Sequence, residues 1–241
     1  MHSAIYHHLR NFIRSNYFTY LIAGKFRNIG KCAYLATKNT DIVVEGFQRS
    51  GNTLAYHVVS ELEPNKIIAH HTHSIINLKI ASKYNIPLLV VIRNPLDSLV
   101  SATIYRAVIS NSSYRESFEV AYNDYVQFYK VLSKLKLNSN QICVEFEYML
   151  NHGADLVEFL NLIWSRKNGL SGAAIFSKAY EHHQLAEKNK NVNSLLLTIP
   201  SVDKINIRNR VIDYISDCKI SEMKFVQSLY DNCRLRALHV K

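Results

Sequence analysis

At 241 residues with 48% hydrophobic side chains, the chain has the length for one large α/β domain and the composition of a globular protein rather than a disordered one. Seven glycines and four prolines exclude a collagenous or linker-rich chain, and four widely spaced cysteines (Cys32, Cys143, Cys218, Cys233) without a C-x-x-C pair read as reduced packing residues, not a disulfide framework. The formal net charge of +10 implies an anionic partner without choosing among nucleotide, anionic lipid, polyanionic glycan and nucleic acid.

The charge is uneven. Residues 1–40 hold Arg10, Arg14, Lys25, Arg27, Lys31 and Lys38 and no acidic residue, interleaved with Tyr6, Phe12, Tyr17, Phe18, Tyr20, Phe26 and Tyr34. Ile5, Leu9, Phe12 and Ile13 fall at helical spacing, so 1–40 is expected to be a helical extension ahead of a single domain spanning 41–241. Two readings stand for residues 1–38: helices packed on the domain's flank, or a basic-aromatic surface in peripheral contact with the inner face of a membrane. The longest apolar stretch here, Tyr17 to Gly24, is far short of the roughly 20 residues of a membrane-spanning helix. With no small-residue cleavage site after Arg10 and Arg14, a signal peptide is not expected and the location is read as cytoplasmic.

Asp41 to Thr53, DIVVEGFQRSGNT, organises the rest. Ile42, Val43 and Val44 predict a buried strand, Gly46 a sharp turn, and Ser50-Gly51-Asn52-Thr53 the start of a helix. The first-turn N–H groups of a helix have no partners within it, and its dipole favours negative charge there, so this is an anion site. Gly51 is expected to let the backbone approach the anion without a Cβ in the way. Gly46 to Thr53 has the length of a nucleotide-triphosphate loop, G-x-x-x-x-G-K-[ST], but Asn52 holds the lysine position and the cation is Arg49. That pattern argues against an ordinary ATP or GTP enzyme.

The helix continues from Leu54 to Leu62 and breaks at Pro64-Asn65. Lys66 to Ala69 predicts a second strand, which delivers His70-His71-Thr72-His73. If the strand persists, alternation puts His71 and His73 on one face. Three readings compete for the histidines: a metal site completed by Glu45 or Glu63, a catalytic base at a strand tip, or a structural cluster. Ser74 is placed to cap a helix to about Tyr84.

Pro87 to Ile92, PLLVVI, predicts a parallel strand buried on both faces, with Arg93 at its tip and a helix from about Asp97 that carries Ser101. A guanidinium and a hydroxyl so placed can converge on one phosphate; the alternative is an Arg93–Asp97 surface pair. Tyr114 to Lys136 predicts a long helix with an apolar stripe of Phe118, Tyr122, Tyr125, Tyr129 and Leu132. Gln141 to Phe146 predicts the fourth strand, with Glu145 and Glu147 on one face in structural roles. A helix over 153–164, a loop from Ser165 to Gly172, a polar basic helix over 178–190 read as a lid, and two helices at about 203–217 and 219–237 close the chain.

In this order the parts resemble the sulfotransferases that use 3′-phosphoadenosine 5′-phosphosulfate (PAPS). Gln48-Arg49-Ser50-Gly51-Asn52-Thr53 is similar to the family's 5′ loop P-K-S-G-[TN]-[TS]. Arg93-Asn94-Pro95, Asp97 and Ser101 match its R-[ND]-P-x-D-x-x-x-S motif, and Thr72-His73 falls where the family often has a histidine after the second strand. The motifs cover residues 41 to about 106, and the order of elements matches to about 165. Gln48 for proline and Arg49 for lysine are departures. Arg166-Lys167-Asn168-Gly169 resembles the family's R-K-G tripeptide but lies too early in the chain to be matched.

The resemblance implies a three-layer P-loop-type α/β fold, a parallel sheet flanked by helices with a helical C-terminal region. It implies PAPS as donor, with no metal, and a hydroxyl-bearing acceptor; the basic-aromatic N-terminal region makes a glycan or glycolipid the expectation, with a small alcohol, phenol or peptide hydroxyl as alternatives, and nucleic acid is not expected. Arg49, Ser50, Gly51, Asn52, Thr53, Arg93 and Ser101 would bind the donor; Arg49, His73 and His71 would serve the transfer, His73 as first choice of base. The rival readings are a P-loop kinase, which requires Mg²⁺, and a non-enzymatic anion- or membrane-binding module.

Overall fold

The computed structural model describes residues 35–165, 170–188 and 202–237, with positions 18, 19 and 22 ahead of them. The basic-aromatic extension, apart from a few positions, and the segment 166–169 lie outside the described residues.

Four parallel strands form one sheet: β1 (Ile42–Gly46), β2 (Ile68–His70), β3 (Leu88–Ile92) and β4 (Gln141–Glu145), in the order β2-β1-β3-β4. Register is set by Val44 beside His70, Gly46 beside Val91, and Ile92 beside Glu145. The described helices are α1 (Asn52–Leu62), α2 (Ile75–Lys83), α3 (Pro95–Ser110), α4 (Tyr114–Lys134), α5 (Phe146–Asn151), α6 (Gly153–Ile163), α7 (Gly172–Lys188), α8 (Val202–Cys218) and α9 (Ile220–Arg234).

Strand side chains alternate between two cores, which is why the strands read as continuous apolar runs. Val43, Leu88, Val90, Ile92 and Cys143 pack under α2, α3, α4, α8 and α9. Ile42, Val44, Leu89, Val91, Ile142 and Val144 pack under α1, α6 and α7. The result is the expected three-layer α/β architecture with a helical C-terminal region. The stripe on α4 is core: Phe118, Tyr125, Tyr129 and Leu132 are buried, and the rings of Tyr125 and Tyr129 stack at 4.1 Å. The helix starts on a capping box between Ser113 and Glu116. At its other end the Arg236 guanidinium, just past α9, donates to the carbonyls of Leu132, Ser133 and Leu135.

Some expectations are corrected. The chain leaves β4 at Glu145 and coils at once into α5, so Glu147 does not alternate with Glu145 on a strand; Glu145 accepts from Tyr230 at 2.5 Å and pairs with Arg234, while Glu147 lies 3.7 Å from Arg93. α7 is not a lid. Ile175 and Ala179 bury it in the α1-side core, and Lys178 and His182 both pair with Glu61 of α1, at 2.6 and 2.7 Å. Asp97 pairs with Arg208 of α8 at 2.5 Å rather than with Arg93. Cys143 and Cys233 are packing residues, but Cys218 is exposed.

Candidate functional site

The connections from β1 and β3 run in opposite directions, to β2 on one side and β4 on the other. Beyond the carboxyl ends of these two neighbours is the crevice where open parallel sheets bind ligands. The two loops that flank it are the ones the sequence singles out: Phe47 to Gly51 after β1, and Arg93-Asn94 after β3.

The first loop turns through two left-handed residues, Arg49 at φ 69° and Gly51 at φ 94°. Gly51 caps α1 with no side chain, so the first-turn N–H groups keep their donors for a ligand. Its missing Cβ also serves packing: an added Cβ would run into the ring of Phe146. Asn52 explains its own departure from lysine. It is buried, and its amide donates to the carbonyls of Gly46 (3.2 Å) and Phe47 (3.0 Å), tying the helix start to the strand end. Its side chain is thus a brace; what it offers a ligand is its backbone N–H. The Ser50 hydroxyl is buried and has no hydrogen-bond partner among the described residues.

Arg49, Arg93 and Ser101 meet. Arg49 Nε donates to Ser101 Oγ at 3.1 Å, and Arg93 Nη1 donates to the Arg49 carbonyl at 3.2 Å. Arg49 lies over the Tyr105 ring at 5.4 Å, and Arg93 over the Phe146 ring at 4.6 Å. Two guanidinium groups held this close, Arg93 also lying 3.7 Å from the Glu147 carboxylate, can converge on one anion. An uncapped helix start, two converging arginines and an unpaired buried hydroxyl suit a ligand with two phosphate-like groups.

Behind the loop, Arg106 donates to Gln48 Oε1 (2.9 Å) and to Asp124 (2.6 Å), linking the loop to α3 and α4 through a buried ion pair. Neither Arg106 nor Phe146 was picked out from sequence. A single arginine within the apolar run of α3 was a usable signal for the first; an aromatic at the tip of β4 carries none.

The histidines depart from strand geometry. β2 ends at His70, and His71 (φ 58°) and His73 (φ 50°) are both left-handed, so alternation does not place them. Both nevertheless reach the start of α1. His71 Nε2 is 3.0 Å from Thr53 Oγ1, and its Nδ1 contacts His70 Nδ1. His73 Nδ1 is 3.0 Å from the Gly46 carbonyl. The Gly46 carbonyl only accepts, and the two hydrogens of the Asn52 amide, 3.2 Å from Nδ1, already go to the Gly46 and Phe47 carbonyls, so these contacts favour the neutral tautomer with the proton on Nδ1 and the lone pair on Nε2. His70 is buried and stacks on Tyr56 at 3.8 Å. Burial, then the neighbouring His71 and His57, push its pKa down to about 3, so it is neutral.

What holds this turn is Glu45, fully buried at the end of β1. Its carboxylate accepts from the N–H groups of Thr72 (3.3 Å) and His73 (3.0 Å), from the Thr72 hydroxyl, and from the Asn77 amide (2.7 Å). Burial pushes its pKa up to about 7 against the pull of these bonds. Glu45 is therefore committed to the loop, not to a metal. Among the described residues no group of three or more His, Cys, Asp or Glu is arranged to hold a metal ion, and no helix is long and apolar enough to cross a membrane.

No family model matches the chain, and no curated protein matches it in sequence. Among solved structures it is similar to the crystal structure of mouse sulfotransferase SULT7A1 complexed with PAP, with a TM-score of 0.56 and 14% identity over 82% of this chain and 90% of that one. At that identity the likeness establishes the fold: this chain has the fold of a sulfotransferase.

Proposed function

We propose that the chain is a sulfotransferase that moves a sulfuryl group from PAPS to the hydroxyl of a glycan or glycolipid acceptor. The observation that carries this reading is the meeting of Arg49, Arg93 and Ser101 at the switch point of the sheet, beside the uncapped start of α1. That the similar mouse protein was crystallised with PAP supports it.

The assignment of roles follows from charge. The S–O bond to the donor's phosphate breaks, a new S–O bond to the acceptor oxygen forms, and the acceptor's proton goes to a base. Negative charge grows on the leaving phosphate oxygen, where Arg49, the first-turn N–H groups of Asn52 and Thr53, and the Ser50 hydroxyl stabilise it. Arg93 and Ser101 hold the 3′-phosphate, the feature that separates this donor from ATP. His73 is the base, since its protonated Nδ1 leaves Nε2 to take the proton. His71 positions Thr53 through their hydrogen bond. Residues 1–38 bring the enzyme against a membrane surface, where such acceptors are presented.

A thermal-shift measurement tests the reading. At about 100 times its dissociation constant, 3′,5′-ADP adds about 2.7 kcal/mol, or roughly 5–10 °C at this size. Arg93→Ala removes that shift, and 5′-ADP with Mg²⁺ gives none. An equal response to 5′-ADP with Mg²⁺ would instead favour a kinase.

A further inference from the structure

The strand IVVEG ends in a carboxylate that has no access to solvent and whose charge finds no cation in the contacts it makes here; every one of those contacts belongs to the connection that follows β2 or to the helix after it. One oxygen takes the Thr72 N–H, the Thr72 hydroxyl and the Asn77 amide, and the other takes the His73 N–H. Asn77 also donates to Thr72 Oγ1 at 3.0 Å and accepts the Ala36 N–H at 2.9 Å, so the clamp is itself held from both sides. The turn so gripped contains two left-handed histidines, a backbone state disfavoured for residues that carry a Cβ and one that persists only where the surroundings impose it. Its product is a single ring placement: His73 Nδ1 against the Gly46 carbonyl.

Resting on the sulfotransferase reading for the role of His73, we infer that Glu45 is a positioning residue: by clamping the Thr72 hydroxyl together with the backbone N–H groups of Thr72 and His73 it fixes the tautomer and aim of His73, without itself touching donor or acceptor. The carboxylate is suited to this as no amide is. Both its oxygens accept, so it serves four donors at once. In Glu45→Gln one of them is replaced by an NH₂ group that opposes an N–H, and the clamp opens at nearly constant volume.

The test follows the imidazole nitrogens of His73 by ¹H–¹⁵N NMR, assigned with His73→Gln, in wild type, Glu45→Gln and Thr72→Val. Wild type shows one tautomer with a slowly exchanging Nδ1 proton. Both variants lose that proton signal to exchange and tautomer averaging, while the thermal shift with 3′,5′-ADP persists. In turnover of PAPS with water as acceptor, kcat drops by about 10²-fold with the donor KM unchanged, as for a misplaced reacting group. An unaltered His73 signal in either variant overturns the proposal, and Thr72→Val decides it alone if Glu45→Gln does not fold. If wild type fails to bind 3′,5′-ADP, the donor reading falls, but the His73 signal still decides whether Glu45 holds the turn; buried Trp164 then reports that the fold is intact.

Discussion

His70 and Glu45 are both buried, at the ends of β2 and β1, and each resists its charge. His70 contributes a simple sign. Its pKa in the folded chain is about 3, below the 6.5 it has when unfolded, so between those values the unfolded state binds more protons and stability is lost as pH falls. Glu45 works the other way. Its pKa is raised from 4.5 to about 7, the folded state binds more protons across that window, and stability is lost as pH rises through it. Where the windows overlap, about pH 4.5 to 6.5, the two contributions oppose. Replacing His70 by Phe keeps the stack on Tyr56 and removes one of them. The stability difference between His70→Phe and wild type should therefore move in favour of the variant by about 2 kcal/mol between pH 7.5 and 5. Urea denaturation at a series of pH values measures it; a difference that does not change with pH would mean that His70 ionises freely in the folded chain.

At the scale of the element, the β1–α1 junction is the most constrained. Gly51 combines a left-handed φ of 94° with a ring of Phe146 where a Cβ would sit. Gly51→Ala should cost about 2–4 kcal/mol, from the backbone and from overpacking, whereas Ser113→Ala, which loses only the cap of α4, should cost about 1 kcal/mol. Denaturant midpoints of the two variants compare them directly. The contrast also marks what was legible in sequence. Gly51, Arg49, Arg93 and Ser101 could be placed because strand, turn and helix start have fixed geometry, so residues at those offsets must meet at one end of a parallel sheet. Their partners could not. That Ser101 would meet Arg49 depends on how two loops approach across the switch point, and that Phe146 would fill the space at Gly51 depends on the end of β4, nearly a hundred residues later. The histidine turn was misread for a sharper reason. Alternation assumes that the strand persists, and it is Glu45, on another strand, that ends it after His70 by drawing the next N–H groups to itself. The helix over 178–190 was read as a lid because it is polar on most faces; two buried positions and a shared carboxylate on α1 sufficed to pack it.

Across the whole molecule the sheet joins two cores. β1 and β3 send alternate side chains to each, so neither core can be lost without exposing a sheet face that the other needs covered. The sequence supplies a probe for each side. Trp164, the single tryptophan, is buried with the α1-side core and donates to the Asn140 carbonyl at 2.9 Å. Tyr125 and Tyr129 are stacked and buried in the opposite core. If the sheet couples the two, tryptophan emission and the near-UV tyrosine signal should report one transition with a common midpoint. Val44→Ala, which removes two methyl groups from the tryptophan side alone, should then lower both midpoints together by the equivalent of roughly 1–3 kcal/mol. A shift confined to the tryptophan signal would show instead that the α1, α6 and α7 layer unfolds separately. The distinction matters for the proposed site, which takes its anion loop from the start of α1 in one layer and Ser101 from α3 in the other. Only a sheet that binds both layers into one cooperative unit holds Arg49 and Ser101 at hydrogen-bond distance before any ligand arrives, and the cost of assembling the site is then met in folding rather than in binding.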